Sequence, residues 1–71
     1  MTRAEHLDWC KARAREYLET GDLAQAVASM TSDMRKHPET ERSMDPLIAM
    51  LGMQETLKGR DAVRRWIEGF Q

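Results

Sequence analysis

His6 and Cys10 stand one helical turn apart, the spacing at which an imidazole and a thiol can act as base and nucleophile or share a metal ion. Either chemistry needs a third group, an orienting carboxylate or further ligands, and none has a matching spacing. Cys10 is the only cysteine, which excludes an internal disulfide and a multi-cysteine zinc site. A thiol on an apolar stripe packs as a small hydrophobe, so the sequence is read as holding no catalytic residue, no cofactor and no metal. Glu39, Glu41 and Asp45 can gather around a hard cation, but they lack the spacing and central glycine of a calcium loop. His37, next to Pro38, reads as a helix-end residue favoured by the helix dipole.

What remains is chemistry suited to contact. Trp66 and Phe70 lie at helical spacing beside Arg64 and Arg65, the composition of an interface hot spot. Trp9 falls off its helix's apolar stripe, so either the C-terminal helix covers it or it is an exposed aromatic. Lys11 and Arg15, one turn apart, suit an acidic partner or nucleic acid, with a solvated face and an Arg15–Glu19 pair as the plainer reading. The expected partner-binding set is therefore Trp9, Lys11, Arg15, Arg64, Arg65, Trp66 and Phe70. Met30, Met34, Met44, Met50 and Met53 read as core filler, with Met44 and Met53 the best placed for a surface.

Four helices must position these residues. Thr2 and Glu5 form a capping box, and Leu7, Cys10, Ala14, Tyr17 and Leu18 share one face of the helix that follows. Gly21 ends that helix and Asp22 caps the next, whose stripe is Leu23, Ala26, Val27, Met30 and Met34. Arg35, Lys36 and His37 are placed in its last turn, and residues 38–44 read as a polar loop. Asp45-Pro46 opens a third helix with Leu47, Met50, Leu51 and Leu57 as its inner stripe. Ile48, Ala49 and Met53 make it apolar nearly all round, and Gly52 counts as a local weakness. Lys58-Gly59 ends it, and Val63, Trp66, Ile67 and Phe70 form the stripe of a fourth helix. On that helix Asp61–Arg65 and Arg64–Glu68 are the expected ion pairs. The expected fold is one compact all-α domain of two antiparallel hairpins, 3–37 and 45–70.

The first hairpin resembles a tetratricopeptide repeat over residues 3–38. Ala14, Tyr17, Gly21, Ala26 and Pro38 occupy matching places, Met30 stands at a bulky apolar position, and Cys10 replaces the family's tryptophan. The second half departs from the pattern, with Glu55 at the aromatic position and Arg64 at the small one. The whole chain is also similar to short uncharacterised proteins of tailed phages and prophages. That likeness is carried by His6-Leu7-Asp8-Trp9-Cys10-Lys11, Gly21-Asp22, Ser29-Met30, Lys36-His37-Pro38-Glu39-Thr40 and Ile67-Glu68-Gly69-Phe70. It implies a phage origin, and by analogy a protein that binds and blocks a host protein.

Composition narrows the classes. The 71 residues carry a formal charge of −1, which argues against non-specific binding of duplex DNA. Residues 39–57 are mildly acidic, and residues 58–71 mildly basic through Lys58, Arg60, Arg64 and Arg65. No long apolar run suggests a membrane span, and the lone thiol fits a reducing cytoplasm. The functional expectation is a non-catalytic protein-binding module, a phage-derived modulator of a host protein such as a CRISPR nuclease, acting in the host cytoplasm. The alternatives are a self-assembling scaffold that pairs through the third helix, and a nucleic-acid binder using the basic C-terminal helix.

Overall fold

Two helix ends fix the path of the chain. The structure is a computed structural model that describes residues 2–71. Helix α1 (Arg3–Glu19) begins with the expected capping box: the Glu5 N–H donates to Thr2 Oγ1 at 3.1 Å, and the Thr2 N–H donates to Glu5 Oε1 at 3.0 Å. It ends at Gly21, where φ is +80° and a side chain would be strained. There the Gly21 and Asp22 N–H groups donate back to the carbonyls of Leu18 and Tyr17, which satisfies the helix's last turn. Asp22 at once caps α2 (Leu23–Met34), accepting from the Gln25 N–H. The chain thus reverses in two residues. The end of α2 lies beside the start of α1, with His6 Nε2 2.8 Å from the Asp33 carbonyl oxygen.

Three more helices complete the described residues: α3 (Pro38–Glu41), α4 (Pro46–Glu55), which runs into a 3₁₀ turn at Thr56–Lys58, and α5 (Arg60–Glu68). No strand occurs among the described residues, so the fold is all-α as the periodicity implies. The core joins the α1 stripe (Leu7, Cys10, Ala14, Leu18) to that of α2 (Ala26, Val27, Met30, Met34) and to Val63, Ile67 and Phe70. Those residues all belong to the expected stripes, of which Tyr17, Leu23 and Trp66 are only half-buried against the core.

The segment between α2 and α4 corrects the expectation of a polar loop. Helix α2 stops at Met34, before Arg35, Lys36 and His37, and the freed Met34 carbonyl accepts from Thr40 Oγ1 at 2.5 Å. Pro38 then occupies the first turn of α3, with His37 Nδ1 accepting from the Glu39 N–H. Thr40 and Met44 are both buried, so Met44 is core and not surface. A one-turn helix carries no periodic signal, and it is tertiary burial of these two side chains that holds it here.

The face that α4 turns inward is the second correction. Leu47, Met50, Leu51 and Leu57, expected as the inner stripe, are 76%, 59%, 47% and 88% exposed. Gly52 is instead the buried residue of α4, flanked by half-buried Ile48 and Ala49. The reason is steric. The Trp66 indole lies so close to Gly52 that a Cβ there would meet the ring at 2.6 Å. Trp66 Nε1 also donates to the Ile48 carbonyl at 3.1 Å. The glycine read as a weakness is the seat of a tryptophan.

This seating predicts a sign. Alanine in a helix interior is favoured over glycine by about 1 kcal/mol, whereas overpacking a tight contact costs about 1–3 kcal/mol. Gly52→Ala is expected to lower the melting temperature in a circular dichroism melt. A rise would mean that α4 does not sit on Trp66.

Candidate protein-docking surface

α4 presents an apolar face where a solvent-facing helix normally carries charge. From Pro46 to Gln54 there is no charged side chain, and the first, Glu55, is held by Lys58 at 3.5 Å. At 100° per residue, Leu47, Met50 and Gln54 fall on the side opposite Gly52 and Leu51 lies 100° from it on the α5 flank, together an i, i+3, i+4, i+7 row. Met53 and Leu57 flank that row, both well exposed. The total accessible surface of 4464 Å² is what a monomer of this mass exposes, about 4,500 Å². The unusual feature is therefore the concentration of apolar surface on one helix and not its total amount.

A groove runs along each side of α4. One, of about 480 Å³, lies between α2 and α4, walled by Val27, Thr31, Arg35, Ala49, Met50 and Met53. The other, of about 420 Å³, lies between α4 and α5, walled by Ile48, Leu51, Arg65, Trp66 and Phe70. In the second, Trp66 and Phe70 meet edge to face with centroids 5.1 Å apart. The end of α5 here returns beside the start of α4.

The seven residues singled out for contact separate into three places. Arg65, Trp66 and Phe70 come together in the α4–α5 groove, while Arg64 stands exposed, with Asp61 3.6 Å away. Lys11 and Arg15 turn to the C-terminal end of α5. Arg15 grips the Glu68 carboxylate with two hydrogen bonds of 2.8 and 3.0 Å, and Lys11 Nζ lies 3.5 Å from the Glu68 carbonyl. The expected Arg15–Glu19, Asp61–Arg65 and Arg64–Glu68 pairs are thus replaced by Arg15–Glu68 and Arg64–Asp61. Both side chains of the Arg15–Glu68 pair are about half exposed, so it contributes at most about 1 kcal/mol.

Trp9 lies in the third place, and it is not the C-terminal helix that packs on its ring. The ring stacks on His6 at 5.4 Å, and His6 in turn meets His37 at 5.2 Å. Arg13 and Lys36 stand over the Trp9 ring at 4.9 and 5.5 Å. Both cations also bind Asp33, at 2.7 and 3.0 Å, and Ser29 Oγ donates to the same carboxylate. Asp33 is buried and was missed in the sequence because an acid in α2 reads as a solvated position. The one available signal was its spacing from Ser29 and Lys36. Burial pushes the Asp33 carboxyl up, but the hydrogen bonds from Lys36 and Arg13, with their charges, outweigh it and hold the group below its ordinary value. No buried side-chain polar atom among the described residues lacks a hydrogen-bond partner.

Cys10 is fully buried in the core. Burial, with the Asp33 charge adding to it, pushes its thiol up to about 11, so it is protonated at neutral pH. No cluster of three or more metal-ligating side chains occurs among the described residues. No helix among them is long and apolar enough to cross a membrane.

The Asp33 cluster gives a pH-dependent prediction. The folded carboxyl titrates below its unfolded value of about 3.8, so its contribution is complete above that value and lost as pH falls through the folded one. Asp33→Asn should cost about 1 kcal/mol at pH 7, modest because Arg13 and Lys36 are half exposed. In urea titrations the gap from the parent chain should close as pH falls well below 3.8, and a gap constant with pH would remove the charge from the explanation. Compared with known proteins, the chain matches no family model, no curated protein and no solved structure.

Proposed function

We propose that the chain is a protein-binding module and that its contact surface is the outward face of α4 with the two flanking grooves. The observation that carries this reading is the exposed row Leu47, Met50 and Leu51, continued by Met53 and Leu57, on a helix without charge before Glu55. Each such side chain, if buried, would contribute about 1.5–3 kcal/mol. A chain of this size has a thin stability margin, and leaving that much unburied fits a fold completed by a partner. Arg65, Trp66 and Phe70 add the aromatic and arginine composition of a hot spot at the edge of the same face.

The likeness to phage and prophage proteins extends the reading to a target. On it, the chain is a phage-derived modulator that binds a host protein in the host cytoplasm, an inhibitor of a defence complex such as a CRISPR nuclease being one form. The α1–α2 hairpin, with Ala14, Tyr17, Gly21 and Ala26 around its crossing and turn, is then a tetratricopeptide-like scaffold that carries the α4 surface.

Self-association through α4 is the second reading, favoured by the same exposed row. It needs an adjustment from the sequence-based version, since Ile48 faces Trp66 and only Met53 of that pair stands well exposed. A nucleic-acid interface on α5 draws less support. Arg64 is engaged by Asp61, and Glu68 sets a carboxylate among the basic residues there.

The test is capture of a partner from host lysate by the tagged chain, repeated with the Leu47→Asp/Leu51→Asp pair. Both positions are exposed, so the variant should melt within a few degrees of the parent. It should also lose a stoichiometric partner, with affinity down more than about 30-fold, the scale of a hot-spot loss of 2 kcal/mol. A partner retained by this variant, but released by changes at Trp9 or Arg15, would move the interface away from α4.

A further inference from the structure

The charges beside α4 narrow the chemistry of what docks there. We propose that the partner presents an acidic amphipathic α-helix, an apolar stripe laid along α4 with carboxylates on its flanks that meet Arg35 on one side and Arg65 on the other. The proposal rests on the docking function proposed above and names the partner's class.

Three observations carry it. First, each groove beside α4 contains one arginine and no acid: Arg35 in the α2–α4 groove, Arg65 in the α4–α5 groove. Neither forms an ion pair among the described residues, whereas Arg13, Arg15 and Arg64 each have a carboxylate partner. Two unpaired cations thus bracket an uncharged ridge, and the complement of that pattern is an apolar stripe with an acidic margin on each side. Second, the outward row Leu47, Met50, Leu51, Gln54 repeats at i, i+3, i+4, i+7, the period that a second helix matches along its length. No strand occurs among the described residues, so there is no sheet edge for a partner strand to extend. Third, a second copy of this chain supplies the wrong charge. Pairing α4 with α4 brings two further arginines to a seam whose walls hold no carboxylate. The acids at the ends of α4 are already engaged, Asp45 accepting from the Ile48 N–H at 3.0 Å and Glu55 beside Lys58. Covering arginine without an acid is unfavourable, so the carboxylates come from a different protein.

The probe is a displayed library of roughly 15-residue helical peptides with a fixed i, i+3, i+4, i+7 leucine stripe, long enough for the three turns of α4. Their flanking positions are randomised over Glu, Gln and Lys, and selection is against the whole chain. Enrichment of Glu on both flanks is expected. Binding of the selected peptides should fall on the order of 10-fold with Arg35→Glu or Arg65→Glu, and the two losses should add in the double variant, since the two arginines lie on opposite sides of α4. A Lys-flanked peptide should recover binding to the double reversal. Selected peptides that are lost with Leu47→Asp but carry Gln or Lys flanks, or that ignore both reversals, would overturn the acidic partner and leave the docking surface standing. Peptides indifferent to Leu47→Asp, or no enrichment at all, would remove both. A dimer in sedimentation equilibrium that Leu47→Asp dissociates would put a second copy on α4 and overturn the proposal.

Discussion

The seating of Trp66 against Gly52 decides which way α4 faces, and most of the molecule's surface chemistry follows from it. A helix that is apolar on every side has no preferred rotation on hydrophobic grounds alone. Here the indole occupies the space where a side chain at position 52 would stand, and its N–H is satisfied by the Ile48 carbonyl. Only the glycine face can approach α5 so closely. With 100° between successive residues, Leu47 and Met50 are then carried to the far side and Leu51 to the flank. The exposed apolar row is thus a geometrical consequence of a single close contact, and any sequence that keeps Gly52 and Trp66 keeps the row outward.

The opposite side of the molecule holds the platform on which α4 rests. The capping box and the turn at Gly21 are made within α1 and α2, and Ile48 and Ala49 of α4 pack against the core that those helices build. Buried Asp33 ties α1 to the end of α2 through Arg13 and Lys36, and the same cations roof Trp9. Arg15 fastens Glu68 of α5 to α1, and Arg3 donates to the Gln71 carbonyl and to Ser43. Polar residues that resemble recognition groups in the sequence are therefore spent inside the fold, fixing the walls of the two grooves. Arg35 and Arg65 are the cations that this internal pairing leaves over in those walls.

Sequence reasoning succeeded where local physics decides and failed where one tertiary contact does. Helices α1 and α2 announce themselves by caps and a one-sided stripe, and α5 by its stripe alone. Most of each stripe is buried as expected, while His6, Asp33 and Ala62 join the buried set and Tyr17, Leu23 and Trp66 stay half-buried. α4 has no such asymmetry, so its period gives a helix but not a phase; Gly52 was the phase mark, and only the position of Trp66 reveals it. α3 is a single turn held by buried Thr40 and Met44, with no period to read. At the candidate site, the nearness of Arg65, Trp66 and Phe70 to one another was legible because Trp66 and Phe70 share a stripe and Arg65 is next to it in sequence. Trp9, Lys11 and Arg15 were chosen for the same kind of chemistry, but Lys36 over Trp9, and Glu68 beside Lys11 and Arg15, are distant in sequence. Charge pairs between helices are invisible to a reading that sees only i, i+4 neighbours.

The same contact that exposes α4 also leaves it less anchored than α1, α2 or α5. It sends no large side chain fully into the core, and its hold on the rest is the Gly52–Trp66 contact, half-buried Ile48 and Ala49, and one indole hydrogen bond. Local opening free energies follow buried contact, so α4 should open before α1 or α2 does. A partner seated in the grooves touches α4 and its neighbouring helix together, and so opposes that opening. Binding and the ordering of α4 are then linked by mass action: whatever occupies the grooves stabilises the helix, and whatever loosens the helix weakens the binding. On the proposed function, the thin margin of a chain this short becomes part of its chemistry, because the surface it leaves exposed on α4 is the one through which a partner would stabilise it.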